Sequence, residues 1–182
     1  VTVAVCTRDR PDDLRQCLTA IAALTYPHLD VLVVDNAPSD VRTRTLVERD
    51  FPAVRYVEEP RPGLDWARNR ALLEARGEIL AFTDDDVIVD PGWVSALVPV
   101  FTAAPDVMCV TGLVLPHELE TEAQLLFEQC GGFGRGFQRC WYRRPPLGTP
   151  DAAFYHHGPG RFGTGANMAF RREVFDDIGP FD

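Results

Sequence analysis

Three consecutive aspartates, Asp84 to Asp86, form the densest group of chemically capable side chains in the sequence. They follow an apolar run, Ile79–Phe82, that is typical of a buried strand. Neighbouring carboxylates repel one another and raise each other's pKa, so the cluster needs a cation or a polar ligand to be tolerated. Since Mg²⁺ commonly uses one or two carboxylates together with phosphates, Asp84 and Asp86 fit a metal and phosphate site. The alternative is a solvated acidic turn that leads into a helix.

A second polar pair, Asp35 and Asn36, follows another apolar run. A carboxylate at this place can accept hydrogen bonds from a nucleobase N–H or from ribose hydroxyls. The first turn, "TRDRPDD", lacks the GxGxxG pattern, which argues against a Rossmann dinucleotide site. The alternative for Asp35 is an Asx turn before Pro38.

The segment "GLDWARNRAL" places Arg68 and Asn69 in the first turns of a predicted helix. The planar guanidinium group of arginine suits a nucleobase edge or a phosphate. A surface arginine with no ligand is an equally good interpretation of Arg68 taken alone.

The elements that must position these residues alternate between strand and helix patterns. The predicted strands are 1–7, 29–35, 53–59, 78–84 and 106–115, and the predicted helices are 11–24, 40–50, 63–76 and 91–104. We expect Ser39 or Asp40 to cap the second helix and Gly77 to end the third as a C-cap. This alternation predicts an α/β fold with a mostly parallel sheet and helices on both faces. Ligands then bind beyond the carboxyl ends of the strands, where the acids lie.

Residues 116–163 break the alternation. A helical pattern over 118–130 is followed by a stretch rich in glycine, arginine and aromatic residues. We interpret 116–163 as a long functional insertion or lid. His117, Cys130, Cys140 and the pair His156 and His157 suggest a zinc site only weakly, because their spacing matches no standard pattern.

Composition excludes several functions. The net charge of -9 over 182 residues argues against a nucleic acid partner, which requires a basic surface. All 18 basic residues are arginine, so neither a P-loop lysine nor a Schiff-base lysine is present. Five cysteines without a CxxC pair, no signal peptide and no membrane-spanning apolar run predict a reduced, cytoplasmic protein. The chain begins within a strand pattern and ends within a motif, so we expect a fragment of a longer protein.

Four segments together resemble the nucleotide-sugar-binding part of a family 2 glycosyltransferase. They are "VAVCTRDRPDDLRQCL", "VLVVDNAPSD", "RPGLDWARNRALLEARGEILAFTDDDVIVDPGWV" and "GTGANMAFRREVFDDIGPFD". The resemblance covers residues 1–115 and 163–182, and it implies a single domain of the GT-A fold. Within that domain it implies a nucleotide-sugar-binding half (1–115), the insertion (116–163) and the start of an acceptor-side half (164–182).

The resemblance also implies roles for individual residues. Asp86 is the chief ligand of a Mg²⁺ or Mn²⁺ ion, with Asp84 beside it and with Asp84 and Asp85 near the ribose. Gly165, Ala166 and Asn167 line the pocket of the sugar donor or of the acceptor. The nucleotide-binding set implied is Thr7, Arg8, Arg10, Asp35, Asn36, Arg68, Asp84 and Asp85.

The implied reaction is inverting transfer of a sugar from a nucleotide-diphosphate sugar to an acceptor hydroxyl. The acceptor could be a saccharide, a lipid-linked molecule or a small molecule, and the implied location is the cytoplasm or the cytoplasmic face of a membrane. The catalytic base of such proteins lies downstream of the "GPFD" stretch, so we expect it beyond Asp182. Two alternatives remain, a nucleotidyltransferase and a catalytically incomplete binding module.

Within the insertion, residues 131–144 combine arginine with aromatic side chains. We hypothesise that this stretch closes over the sugar-donor site and contacts the acceptor, because its glycines give it mobility. An ordinary surface loop, or a contact with the chain downstream of Asp182, is an equally good interpretation. The arginines are Arg135, Arg139, Arg143 and Arg144, and the aromatic residues are Phe133, Phe137, Trp141 and Tyr142.

Overall fold

The computed structural model describes residues 1–134, 136–143 and 163–182. The strands are β1 (Thr2–Thr7), β2 (Asp30–Asn36), β3 (Arg55–Glu59), β4 (Ile79–Asp84), β5 (Cys109–Thr111) and β6 (Met168–Arg171). The helices are α1 (Pro11–Ala22), α2 (Arg42–Asp50), α3 (Leu64–Glu74), α4 (Trp93–Ala103), α5 (Glu122–Gln129) and α6 (Val174–Ile178). A 3₁₀ turn at Gly165–Asn167 leads into β6.

The strands form one six-stranded sheet in the order β3-β2-β1-β4-β6-β5. The first four strands pair in parallel, and β6 runs antiparallel to both β4 and β5. The chain moves outward from β1 to β3 and then returns to β4 on the other side of β1. The direction therefore reverses between β1 and β4, and in open α/β sheets ligands bind at this switch point. The predicted α/β class with a mostly parallel sheet is confirmed.

Helices cover both faces of the sheet, as strands that are apolar on both sides require. On one face α1, α2 and α4 bury Leu18, Val47 and Phe101 against the strands. On the other face α3 presents Ala67 and Ala71, whose small side chains allow the helix to lie close to β2. This second face leaves α3, and with it Arg68, near the carboxyl edge of the sheet.

The fifth strand is shorter than predicted, because Cys109–Thr111 replaces the expected 106–115. At Gly112 the chain leaves the sheet and follows the 3₁₀ turn, where the Asn167 side chain donates to the Leu113 carbonyl at 3.0 Å. The apolar residues Val114 and Leu115, which the prediction placed in the strand, line a cavity beside the sheet.

The prediction that Gly77 caps α3 is wrong. The helix ends at Glu74, and the following residue, Ala75, is extended. A Cβ on Gly77 would collide with the backbone of Val1 and Thr2, so the glycine allows close packing beside β1. The Thr2 hydroxyl accepts a hydrogen bond from the Gly77 amide at 2.9 Å, which fixes this junction.

The expected helices at 40–50 and 118–130 are both present with shorter bounds. The prediction that Ser39 or Asp40 caps α2 is wrong, because Val41 occupies the N-cap position and makes no side-chain cap hydrogen bond. The Asp40 carboxylate accepts from the Arg42 amide at 2.9 Å just before the helix. Thr121 and Gln124 form a capping box at the start of α5. Arg135, Arg144 and the His156–His157 pair lie outside the described residues.

Candidate nucleotide and metal site

A cavity of about 410 Å³ opens at the switch point between β1 and β4. The turn after β1, the turn after β4 and the start of α3 form its walls. Seven predicted site residues line it: Thr7, Arg8, Arg10, Asn36, Asp84, Asp85 and Asp86. The topology therefore brings together side chains that are almost 80 residues apart in the sequence.

Asp85 is the most enclosed of the three consecutive aspartates, with 4% of its surface exposed. The Thr7 hydroxyl donates to Asp85 Oδ2 at 2.6 Å, which ties the end of β1 to the turn after β4. Burial raises the pKa of Asp85, and the hydrogen bond from Thr7 and the charge of Arg10 oppose that rise. The side chain is thus held in one place by its neighbours.

Asp86 projects outward and pairs with Arg10. The distance from Arg10 Nη1 to Asp86 Oδ2 is 3.0 Å, and the same nitrogen lies 3.3 Å from Asp85 Oδ1. The guanidinium group therefore bridges two of the three acids and offsets part of their repulsion. A divalent cation bound to Asp86 would compete with Arg10 for the same carboxylates.

Asp84 closes β4 on the face that α3 covers. Burial raises the pKa of Asp84, the charge of Asp86 adds to the rise, and Arg68 and Arg10 oppose it. Cys6 lies in the same environment, and burial raises the pKa of its thiol to about 12, so it remains neutral. Arg68 is the nearby cation on this side of the cavity.

Arg68 is largely buried, with 17% of its side chain exposed. Its guanidinium group lies against Gly165, where any Cβ would overlap it. The group also stands over the Phe181 ring, 5.7 Å from the ring centre. The structure thus joins the predicted Arg68 to the predicted Gly165 and Ala166 segment from the far end of the chain.

The acid cluster fits a metal ion that a second molecule helps to hold. Within the described ranges, no three His, Cys, Asp or Glu side chains converge on one point. Asp85 is held by the Thr7 hydroxyl, so Asp84 and Asp86 are the candidate ligands, and Arg10 has to leave Asp86 before that carboxylate is available. Two carboxylates match the ligand set that Mg²⁺ uses when phosphate oxygens and water complete its coordination.

Asp35 is completely buried at the carboxyl end of β2. The Tyr56 hydroxyl donates to Asp35 Oδ2 at 2.8 Å, whereas Oδ1 has no hydrogen-bond partner. Burial raises the pKa of Asp35 to about 6, with the Tyr56 hydrogen bond opposing the rise. A buried carboxylate oxygen without a partner is costly, so it favours a ligand donor at this point.

The loops after β1 and β2 are joined beyond Asp35. Asp9 accepts from the Ser39 amide at 2.8 Å and from the Ser39 hydroxyl at 2.7 Å. Asp9 and Ala37 both have positive φ angles, of 56° and 47°. Such conformations cost energy in non-glycine residues and cluster at functional sites.

Three asparagines near the site are engaged with the protein itself. Asn36 accepts from the Gly63 amide at 2.8 Å and thereby fixes the start of α3. Asn69 exchanges two hydrogen bonds with the Phe181 backbone, at 2.7 and 2.8 Å. Asn167 accepts from Trp93 Nε1 at 2.8 Å. Their amides therefore position Arg68 and the 3₁₀ turn.

A second cavity of about 480 Å³ adjoins the first at Asp86. Its walls include Ile88, Leu115 and Phe127, and its polar groups include Asp13. Phe127 and Phe133 meet edge to face at 5.0 Å between ring centres, so α5 and the following turn form one wall. This cavity adds residues of the 116–163 insertion to the site.

Sequence reasoning missed Tyr56, Asp9 and Ser39. Nothing in the sequence of β3, which is Arg55-Tyr56-Val57-Glu58-Glu59, marks Tyr56, because it meets Asp35 only when β3 pairs with β2. The Asp9 and Ser39 pair depends on two loops whose mutual position the sequence does not show.

Comparisons with known proteins identify the family of the chain. Residues 2–179 match the model of glycosyl transferase family 2, so the chain belongs to that family. A glucosyl-dolichyl phosphate glucuronosyltransferase of Haloferax volcanii is 25% identical over 100% of this chain and 56% of its own length. The O-antigen biosynthesis protein RfbC of Myxococcus xanthus is 32% identical over 100% of this chain and 14% of its own length. The chain therefore spans about half of one relative and a small part of the other.

Solved structures confirm the GT-A fold. The mannosyltransferase PcManGT of Pyrobaculum calidifontis, in complex with GDP-Man and Mn²⁺, superposes with a TM-score of 0.67 and 24% identity. That match covers 100% of this chain and 47% of the other. TarS of S. aureus, in complex with UDP-GlcNAc, gives a TM-score of 0.65 at 17% identity over 99% of this chain and 47% of its own.

Among the described residues, no helix has the length and the apolar character needed to cross a bilayer.

Proposed function

We propose that the chain binds a nucleotide-diphosphate sugar at the switch point and transfers the sugar, with inversion, to an acceptor hydroxyl. The observation that carries the proposal is one cavity bordered by Arg10, Asp84 and Asp86, with the unpaired oxygen of Asp35 buried at the end of the adjacent strand. Family membership and neighbours solved with UDP-GlcNAc or GDP-Man support this assignment.

The proposed partners of the nucleotide half lie in the cavity and directly behind it. Asp35, which is buried next to the cavity-lining Asn36, accepts an N–H of the base, and Asp84 and Asp85, which line the cavity, accept from ribose hydroxyls. Arg8, Arg10 and Arg68 supply positive charge to the diphosphate.

Asp86, with Asp84, is the proposed ligand pair for Mg²⁺ or Mn²⁺. When bound, the ion neutralises the diphosphate that leaves. Arg10 must then release Asp86, and the freed guanidinium group can turn to a phosphate oxygen. The Mn²⁺ in the PcManGT complex supports the choice of metal.

The second cavity is the proposed place of the acceptor, because it meets the first at Asp86. From there an acceptor hydroxyl attacks the anomeric carbon opposite the bond to the diphosphate. The acceptor O–H proton passes to a carboxylate base, and the bond between carbon and diphosphate breaks. Saccharide, lipid-linked and small-molecule acceptors remain candidates, and the name of the H. volcanii relative favours a lipid-linked one.

A panel of UDP- and GDP-sugars with Mn²⁺ tests the proposal. We expect saturable binding of one nucleotide class, detected by calorimetry, and slow release of free sugar, detected by chromatography. Binding without release supports the binding-module alternative. Formation of a nucleotide-sugar from a nucleoside triphosphate and a sugar phosphate would instead support a nucleotidyltransferase.

A further inference from the structure

The two carboxylate oxygens of the buried Asp35 have different surroundings, because Tyr56 contacts only one of them. Oδ2 accepts from the Tyr56 hydroxyl at 2.8 Å, and Oδ1 is buried without a partner. A carboxylate that is free on both sides can rotate and accept from many donors. This one is fixed by Tyr56, and its free Oδ1 is buried next to Asn36, which lines the switch-point cavity, so a base has to displace the covering atoms to reach it.

Tyr56 is itself held in place. The Arg44 guanidinium group lies over its ring, 5.1 Å from the ring centre. Arg44 Nη2 is 3.6 Å from Glu58 Oε2 on the same strand, so the cation that covers the ring is also anchored. The hydroxyl of Tyr56 can therefore hold Asp35 without much loss of side-chain freedom on binding.

We propose that Tyr56 is a positioning residue that fixes Asp35 so that its free oxygen selects bases with a ring N–H on their pairing edge, namely uracil, thymine and guanine, over cytosine. Cytosine presents a ring nitrogen lone pair at the same place, and this lone pair faces a carboxylate oxygen unfavourably. The inference rests on the proposed function and narrows it to nucleoside diphosphate donors whose base is uracil, thymine or guanine.

The charges around Asp35 set how this selection depends on pH. The β1–α1 loop contributes Asp9, the β2–α2 loop Asp40, and β3 both Tyr56 and Glu58, while α2 contributes Arg44. Burial and the three acids raise the pKa of Asp35, and the Tyr56 hydrogen bond lowers it. Below a pH of about 6, the pKa of Asp35, the carboxyl group is protonated. Its O–H can then donate a hydrogen bond to the ring nitrogen of cytosine.

The two bases should therefore respond to pH in opposite directions. Affinity for UDP falls as the pH drops from 8 to 5, whereas affinity for CDP stays constant or rises. At pH 8 we expect UDP or GDP to bind at least roughly tenfold more tightly than CDP, as one charge-assisted hydrogen bond allows.

The test uses calorimetry of UDP, GDP and CDP with Mn²⁺ between pH 5 and pH 8, on the wild type, Tyr56→Phe and Tyr26→Phe. Tyr26→Phe removes a hydroxyl from another partly buried tyrosine that packs on the same core and does not contact Asp35. In Tyr56→Phe we expect roughly tenfold weaker UDP binding at pH 6.5, with the midpoint of the pH profile moved upward. Tyr26→Phe should match the wild type, and CDP should bind equally to all three proteins at pH 8, where Asp35 is ionised in each.

A second readout needs no nucleotide. Carbon NMR of the aspartate carboxyl groups in the free protein should show that the Asp35 titration midpoint is higher in Tyr56→Phe than in Tyr26→Phe. An unchanged midpoint, or equal UDP and CDP affinities in the wild type, overturns the role of Tyr56. If the midpoint moves but the wild type binds no nucleotide, the proposed function fails, and the base selection fails with it.

Discussion

At the scale of single residues, the site consists of charges whose partners come from distant parts of the chain. Arg10 bridges Asp85 and Asp86, Arg68 opposes Asp84, and Tyr56 holds Asp35. Each of these contacts fixes the position of an acid, while burial is the main cause of the raised pKa of Asp35, Asp84 and Asp85.

Arg10 stands where a metal would neutralise Asp86, so replacing it should favour the metal. In Arg10→Gln we expect Mn²⁺ alone to raise the melting temperature by more than it does in the wild type, because the ion then offsets carboxylates that lack a counter-charge. Differential scanning fluorimetry with and without Mn²⁺ measures the difference. Arg8→Gln is the control, since Arg8 is exposed in the same loop and pairs with Asp9 at 3.9 Å. Equal shifts in all three proteins would contradict the competition.

The raised pKa of Asp35 also affects folding stability. The folded protein binds the proton more tightly than the unfolded chain, so this group favours folding at low pH, and its contribution is lost as the pH rises through about 6. Asp35→Asn should therefore gain stability relative to the wild type between pH 4 and pH 8, by on the order of 2 kcal/mol.

Urea denaturation at the two pH values measures that change. Asp12→Asn, an exposed position in the first turn of α1, serves as the control and should show no such gain. A stability difference for Asp35→Asn that is the same at both pH values would refute the assignment.

At the scale of elements, the sequence predicted the strands and helices well and their mutual contacts poorly. Apolar runs such as Val31–Val34 and the helical spacing of Leu14 and Leu18 depend on local pattern, so β2 and α1 were correctly placed. Gly77 was misassigned because its role is a packing contact with Val1 and Thr2, which no local pattern reveals.

Site residues that directly follow a recognisable strand could be predicted from the sequence, whereas those that depend on contacts between strands could not. Asp84 to Asp86 follow a recognisable strand, and the parallel topology then places them beside Thr7. Tyr56 acquires its role only through the in-register pairing of β2 with β3. The roles of the predicted nucleotide and pocket residues stay predictions until they are tested.

The contact between the 3₁₀ turn and α3 is one such element-scale test. A Cβ at Gly165 would displace the Arg68 guanidinium group, so Gly165→Ala should weaken binding of a nucleotide-diphosphate sugar by roughly tenfold. Gly134→Ala is the matched control, because a Cβ there has no atom within 4 Å. Calorimetry provides the affinities and circular dichroism checks the fold. Unchanged affinity in Gly165→Ala would remove Arg68 from the site.

The lid hypothesis concerns the segment after α5. Trypsin should cut after Arg139 and Arg143 in the free protein, and cleavage should slow when UDP and Mn²⁺ are bound. The segment is rich in exposed side chains, among them Phe137 at 90% and Trp141 at 63%. The control is Asp86→Ala under the same conditions, because in this variant the segment after α5 should not close over the site. Identical cleavage of the wild type in both states would remove the lid and leave only a possible contact with the acceptor.

At the scale of the whole molecule, a GT-A sheet places two adjoining cavities at one edge of an acidic chain. The smaller cavity lies at the switch point, and residues of the insertion form one wall of the larger cavity. Their shared residue, Asp86, is where the donor, the metal and the acceptor would meet. The net charge of -9 is consistent with a site that uses a cation and not with one that holds nucleic acid.

The most direct test of the central claim is calorimetry of UDP and GDP with and without Mn²⁺, on the wild type and on Asp86→Ala. Glu78→Ala is the control, since Glu78 is an exposed carboxylate at the opposite end of β4. We predict that the wild type and Glu78→Ala bind one of the two nucleotides in a Mn²⁺-dependent manner and that Asp86→Ala loses the Mn²⁺ dependence while remaining folded. Mn²⁺-dependent affinity that is unchanged in Asp86→Ala would contradict the account.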